Sequence, residues 1–369
     1  MRLEIFKDEI YLPEPVGKQP KYWLKSYGKR FLFKLATLKM DSSPVYNDVS
    51  ECMAADIATL IGIPSAEYYL CNNSGEKGVV TPDFLNNDDS IGPKKEEFID
   101  GVQLIHRIDP GFKNTSLINP KTHQYYTVDL ILRSVEKYDL KKDVLNMLVF
   151  DALIGNRDRN PSNYGIIINH EDKTVRLSPL YDSCTSLGIS MVDHRLAKCV
   201  DSNGEIIDNE HFDTVIHEHI VGKVTLDRFL LYKDKRKWDD IESKRILRLI
   251  EEKKRELEPL VKMKKISEKQ YHEELHKIGN SYRKFDVSTL KYQTLISYLT
   301  TYYSDEIEEI MQNIEKNINV DSINKTFDIY RDELPLDRMK MAKELVLRRA
   351  NWMVNYYHKN KYESRGKLL

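Results

Sequence analysis

Residues 151–163 read DALIGNRDRNPSN, and what this stretch does decides the fold. It closes the apolar run VLNMLVFDALIG, whose periodicity stops at Gly155, and precedes the apolar alternation of GIIIN. Asp158, Arg159, Asn160, Ser162 and Asn163 therefore stand together between a buried helix and a buried strand. One reading makes this a surface turn, with Asp158 and Asn163 as turn formers and the later Asp182 as a helix cap. The other makes it the loop of a phosphoryl-transfer site. There a carboxylate orients the attacking hydroxyl, and an amide oxygen and a second carboxylate hold Mg²⁺ against the phosphates of ATP. The strand after Asn163 and the run ending in SPLYD form a hairpin turning at His170–Asp172, so Asn163 and Asp182 fall at the same open end.

Working towards the N-terminus, KYWLKS and RFLFKLA are alternating aromatic runs joined as a hairpin. Lys34 sits among apolar residues of the second run, and an interior lysine is costly unless paired. NDVSECMAADIATLIGIP predicts a helix, with Asn47, Asp48 or Ser50 as its N-cap and Gly62 and Pro64 at its end. Glu51 at its start is placed to pair with Lys34. SAEYYLC and KGVVT predict two further strands, giving the order strand, strand, helix, strand, strand. From Thr127 the helical period takes over, in YTVDLILRSVEKY and KDVLNMLVFDALIG. Beyond Asp201 the chain is mostly helical, with a charge-rich helix pair around residues 238–279 and a last helix from Asp337.

Composition narrows the function classes. Lys+Arg 57 against Asp+Glu 58 leaves a net charge of −1, so no global basic field is available for nucleic acid. No run approaches the roughly 18 uninterrupted apolar residues of a membrane span. Four scattered cysteines without a CxxC pair fit a reducing compartment, and a cytoplasmic protein is expected. His211, His217 and His219 make a poor metal site without cysteine partners, and Cys184 is expected to pack inertly.

With these residues in place, GKQPK, FLFK, SE before an apolar helix, GNRDRNPSN and LSPLYDSCTSLG resemble the HipA-like serine/threonine kinases, including the short forms of the CtkA type. The resemblance runs from about Val16 to Gly188. It implies a two-lobed α+β, protein-kinase-like fold: a small β-rich N-lobe over residues 1–85 and a large, mainly helical C-lobe over 86–369. It implies ATP and Mg²⁺ as cofactors, with Gly17 and Gln19 in the loop over the phosphates, Lys34 on the phosphates and Glu51 as its helix partner. Thr81 and Asp83 would border adenine, Asp158 would be the catalytic aspartate, and Asn163 and Asp182 the magnesium ligands.

The acceptor implied is a protein serine or threonine, in a toxin-like or regulatory setting with an antitoxin as partner. Three positions depart from the family. Asn160 stands where it often has histidine, and Glu14 where HipA carries an autophosphorylated serine. Gly17 also comes so early that the N-terminal extension of full-length HipA toxins is expected to be missing. Two rival readings stay open: a small-molecule or lipid kinase, and a nucleotide-binding pseudokinase acting through its charged helices.

Overall fold

The computed structural model describes residues 2–5, 9–13, 20–26, 29–38, 44–85, 94–122, 124–189, 191, 193–221, 235–279 and 292–365. The chain opens with β1 (Leu3–Ile5), β2 (Glu9–Pro13), β3 (Lys21–Ser26) and β4 (Lys29–Leu35), followed by α1 (Asn47–Leu60), β5 (Tyr69–Asn73) and β6 (Glu76–Pro82). These six strands form one sheet in the order β1-β5-β6-β4-β3-β2, so β4 is an inner strand.

Alternation along β4 sends consecutive side chains to opposite faces. Phe33 joins Leu24, Cys71 and Val80 on one face. On the other, Leu70 and Val79 pack with Val49, Met53 and Ile57 of α1. Lys34 pairs in register with Val79, which directs it to the helix-covered face.

The sheet and α1 differ from the sequence reading in two respects. β1 and β2 were not expected; β1 pairs in parallel with β5, Leu3 opposite Cys71, a partnership some seventy residues away that leaves no local pattern. Nor do Asn47, Asp48 or Ser50 cap α1, since its N-cap is Tyr46 at φ 59° with no side-chain cap bond. All three are used elsewhere: Asn47 Oδ1 accepts from Thr37 N, Asp48 pairs with Arg2, and Ser50 Oγ reaches Ser186.

The second part contains β7 (Glu96–Asp100), α2 (Gly101–Ile108), the short pair β8 (Ile118–Asn119) and β9 (Gln124–Tyr125), then α3 (Val128–Val135) and α4 (Lys141–Ile154). The predicted hairpin follows as β10 (Gly165–Asn169) and β11 (Thr174–Leu177), with β7 adding a third strand against β10. Val144, Leu145 and Met147 through Ile154 of α4 are all buried. A helix buried on nearly every side over its last turns belongs at the centre of a lobe.

After the hairpin come α5 (Asp193–Leu196), α6 (Asn209–Val221), α7 (Lys235–Lys262), α8 (Glu268–Gly279), α9 (Tyr292–Tyr302), α10 (Glu308–Asn317), α11 (Val320–Phe327) and α12 (Leu336–Arg365). α12 contacts α4, α6, α9, α10 and α11, while α7 and α8 pack on each other. A small β-sheet region thus precedes a larger helical one, as expected. Among the described residues, no helix is long and apolar enough to cross a membrane.

Candidate active site

The 151–163 stretch is not a surface turn. α4 ends at Gly155 with φ 69°, where a Cβ would collide with the Arg349 guanidinium. The chain then folds back over Asp151. Arg159, 1 % exposed, donates from Nε and Nη2 to the two Asp151 oxygens at 2.9 and 2.8 Å. Its Nη1 donates to the carbonyls of Asn163 at 2.6 Å and Tyr181 at 2.9 Å. One buried guanidinium therefore ties the loop to the residue before Asp182. Burial by itself would lower the Arg159 pKa; Asp151 overrides it and holds the charge.

This staple fixes the geometry of the loop. Asn163 Nδ2 donates to the Asp158 carbonyl at 2.7 Å, which turns its Oδ1 away and leaves that oxygen as the atom able to meet a cation. Asn160, where the family often has histidine, has a defined place. Its Oδ1 accepts from Ser162 N at 2.9 Å, and its Nδ2 points at Asp158 Oδ1 at 3.4 Å. Among the described residues no helix follows Asp182 before Asp193, so Asp182 does not cap one there.

Lys34 Nζ lies 2.6 Å from Glu51 Oε1 and 3.0 Å from Asp182 Oδ1. Burial alone would lower the lysine pKa; Asp182 and Glu51 outweigh it and push it well above its ordinary value. For Asp182 burial also opposes the charge, yet Lys34 holds the carboxyl below the usual range. Glu51 goes the other way, because its complete burial outweighs the attraction of Lys34. The Asp182 side chain remains 30 % exposed and Glu51 1 %, so only the former is open to a cation arriving from solvent.

The donor set suits Mg²⁺: the Asp182 carboxylate and Asn163 amide oxygen are hard ligands. Cys184 comes within 4.8 Å of Glu51 and Asp182 in a possible metal group, but burial pushes its thiol pKa well up, and a neutral thiol does not suit a hard ion.

The other candidates are placed differently. Thr81 is buried on β6 opposite Leu32, and its hydroxyl points to the Pro82 carbonyl at 3.4 Å. Asp83 is ion-paired with Arg30 and accepts from Leu85 N at 3.0 Å. Neither Thr81 nor Asp83 contacts the Lys34 cluster among these bonds. Gly17 and Gln19 lie outside the described residues, as do the side chains of His217 and His219.

Three substitutions separate the roles at this cluster. Asp182→Ala should leave the fold intact and abolish metal-dependent ATP binding, measured by calorimetry with and without Mg²⁺; full binding would refute the metal assignment. Glu51→Gln should reduce turnover less than Lys34→Ala, since the glutamate acts only by holding the lysine; equal losses would contradict that division.

A strand lysine paired with a helix glutamate, and with the aspartate that follows the hairpin, fits the two-part α+β fold the sequence implied. The profile of the HipA-like C-terminal domain matches residues 15–254, more than half of the 369, and the chain belongs to that family. No curated protein matches it by sequence. Among solved structures it is similar to the proinflammatory kinase CtkA of Helicobacter pylori, with TM-score 0.63 and 14 % identity over 98 % of both chains. It also matches HipA of the Shewanella oneidensis MR-1 toxin–antitoxin system, solved with HipB and operator DNA. That match has TM-score 0.43 and 13 % identity over 97 % of this chain and 68 % of the other.

Proposed function

We propose that the protein is a cytoplasmic kinase that transfers the γ-phosphoryl group of ATP, with Mg²⁺, to a serine or threonine hydroxyl of another protein. The observation that carries this reading is Lys34 held between Glu51 and Asp182. A cation so placed on a strand is what the α/β-phosphates of ATP require.

Asp158 orients the acceptor hydroxyl and takes its proton as the oxygen bonds to phosphorus. The bond to the bridging oxygen breaks, and ADP leaves. Lys34 positions the nucleotide, and Asn163 and Asp182 hold the metal, which supplies charge neutralisation on the transferred group. In this reading residues 1–85 cover the nucleotide, Gly17 and Gln19 close over its phosphates, and Thr81 and Asp83 border the adenine. A regulatory partner of the antitoxin type belongs to the same reading.

The test is an extract of proteins, metabolites and lipids incubated with radiolabelled ATP, with Asp158→Asn as blank. Labelled serine or threonine in proteins is the expected outcome. Label only in metabolites or lipids makes it a small-molecule kinase, and nucleotide binding without label makes it a pseudokinase.

A further inference from the structure

Tyr68 belongs to none of the motifs above, yet its hydroxyl stands at the junction of the site. The link from α1 to β5 runs in parallel beside the chain that leads to Asp182, bridged at Ser65 and Leu180. Ala66 N donates to the Leu180 carbonyl and Leu180 N to the Pro64 carbonyl, each at 2.9 Å. Both segments therefore enter the site in the same direction, one delivering Tyr68 and the other Asp182.

Asp182 has φ 58°, in the left-handed region that is costly for most residues with a Cβ, though less so for aspartate, and that contacts with its backbone can hold. Its N–H donates to the Tyr68 hydroxyl oxygen at 3.3 Å. The Tyr68 ring centre lies 6.0 Å from Lys34 Nζ, so the same side chain walls the lysine. Its hydroxyl also draws the Glu51 carboxyl downwards, against burial and behind the larger pull of Lys34.

We infer that Tyr68 is a positioning residue, whose hydroxyl holds the Asp182 backbone in the turn that presents its carboxylate to Lys34 and the metal. This rests on the proposed kinase function. Tyr68 touches no reacting atom; it acts through Asp182.

The experiment is calorimetry of a non-hydrolysable ATP analogue across a Mg²⁺ series, with wild type and Tyr68→Phe. The substitution keeps the ring and removes one oxygen. The Mg²⁺ concentration for half-maximal binding should rise about tenfold, the effect of losing a group that orients a metal ligand. Metal-free nucleotide affinity should change by less than about twofold, because Lys34 keeps both carboxylates. In an Asp182→Asn background the same substitution should add less than about twofold, since the two losses share one path.

An unchanged Mg²⁺ requirement in Tyr68→Phe, or full additivity with Asp182→Asn, overturns the inference alone. Absence of Mg²⁺-dependent binding in wild type overturns the kinase reading and this inference together. A second measurement needs no variant: amide exchange at Asp182 in ligand-free protein should be slow, and exchange at the unprotected rate overturns the inference.

Discussion

Arg159→Leu should lower the stability of the folded protein by about 3–5 kcal/mol, the usual result of removing one partner from a buried ion pair. Asp151 is 4 % exposed on its side chain, so the carboxylate left behind has no access to solvent. The carbonyls of Asn163 and Tyr181 lose their shared donor in the same step. Urea denaturation measures the loss, and a change below about 1 kcal/mol would show that the pair does not hold the loop. Arg159→Lys should also impair activity, because one ammonium cannot reproduce a fork spanning two carboxylate oxygens and two carbonyls.

The second large effect concerns chemistry rather than stability. Asp158→Asn keeps the shape of the side chain and removes its ability to accept a proton. Turnover should fall by about 10²–10⁴-fold, the contribution typical of a positioned general base. KM for ATP should stay nearly constant, since Lys34, Asn163 and Asp182 keep their places. Matching steady-state kinetics of wild type and variant decides it: a rise in KM with unchanged kcat would assign Asp158 to nucleotide binding instead.

Much of this site was legible before the fold was known. Lys34 among apolar residues demanded a buried partner, and Glu51 meets that demand at 2.6 Å. The hairpin from Asn163 to Asp182 followed from alternation and a polar turn, and the strands pair Ile166 with Leu177 as such a hairpin requires. What stayed hidden depended on contacts distant in sequence. Arg159 looked like one polar turn residue among several, because nothing local distinguishes a guanidinium aimed inward at Asp151 from one in water. Tyr68 gains its place only from the bridge between Ser65 and Leu180, 115 residues apart. The start of α1 misled for the same reason: Asn47, Asp48 and Ser50 are all good caps by type, but Thr37, Arg2 and Ser186 claim them. β7 escaped because five residues, EEFID, carry little alternation, and β10 supplies what makes them a strand.

The most direct measurement is intact-protein mass spectrometry after incubation with Mg²⁺, ATP and the acceptor protein found in the labelling experiment, with wild type beside Asp158→Asn. The account predicts phosphate added to serine or threonine of the acceptor by wild type and almost none by the variant. Equal phosphate with both enzymes, or ATP bound by wild type with no transfer to any hydroxyl, would contradict it.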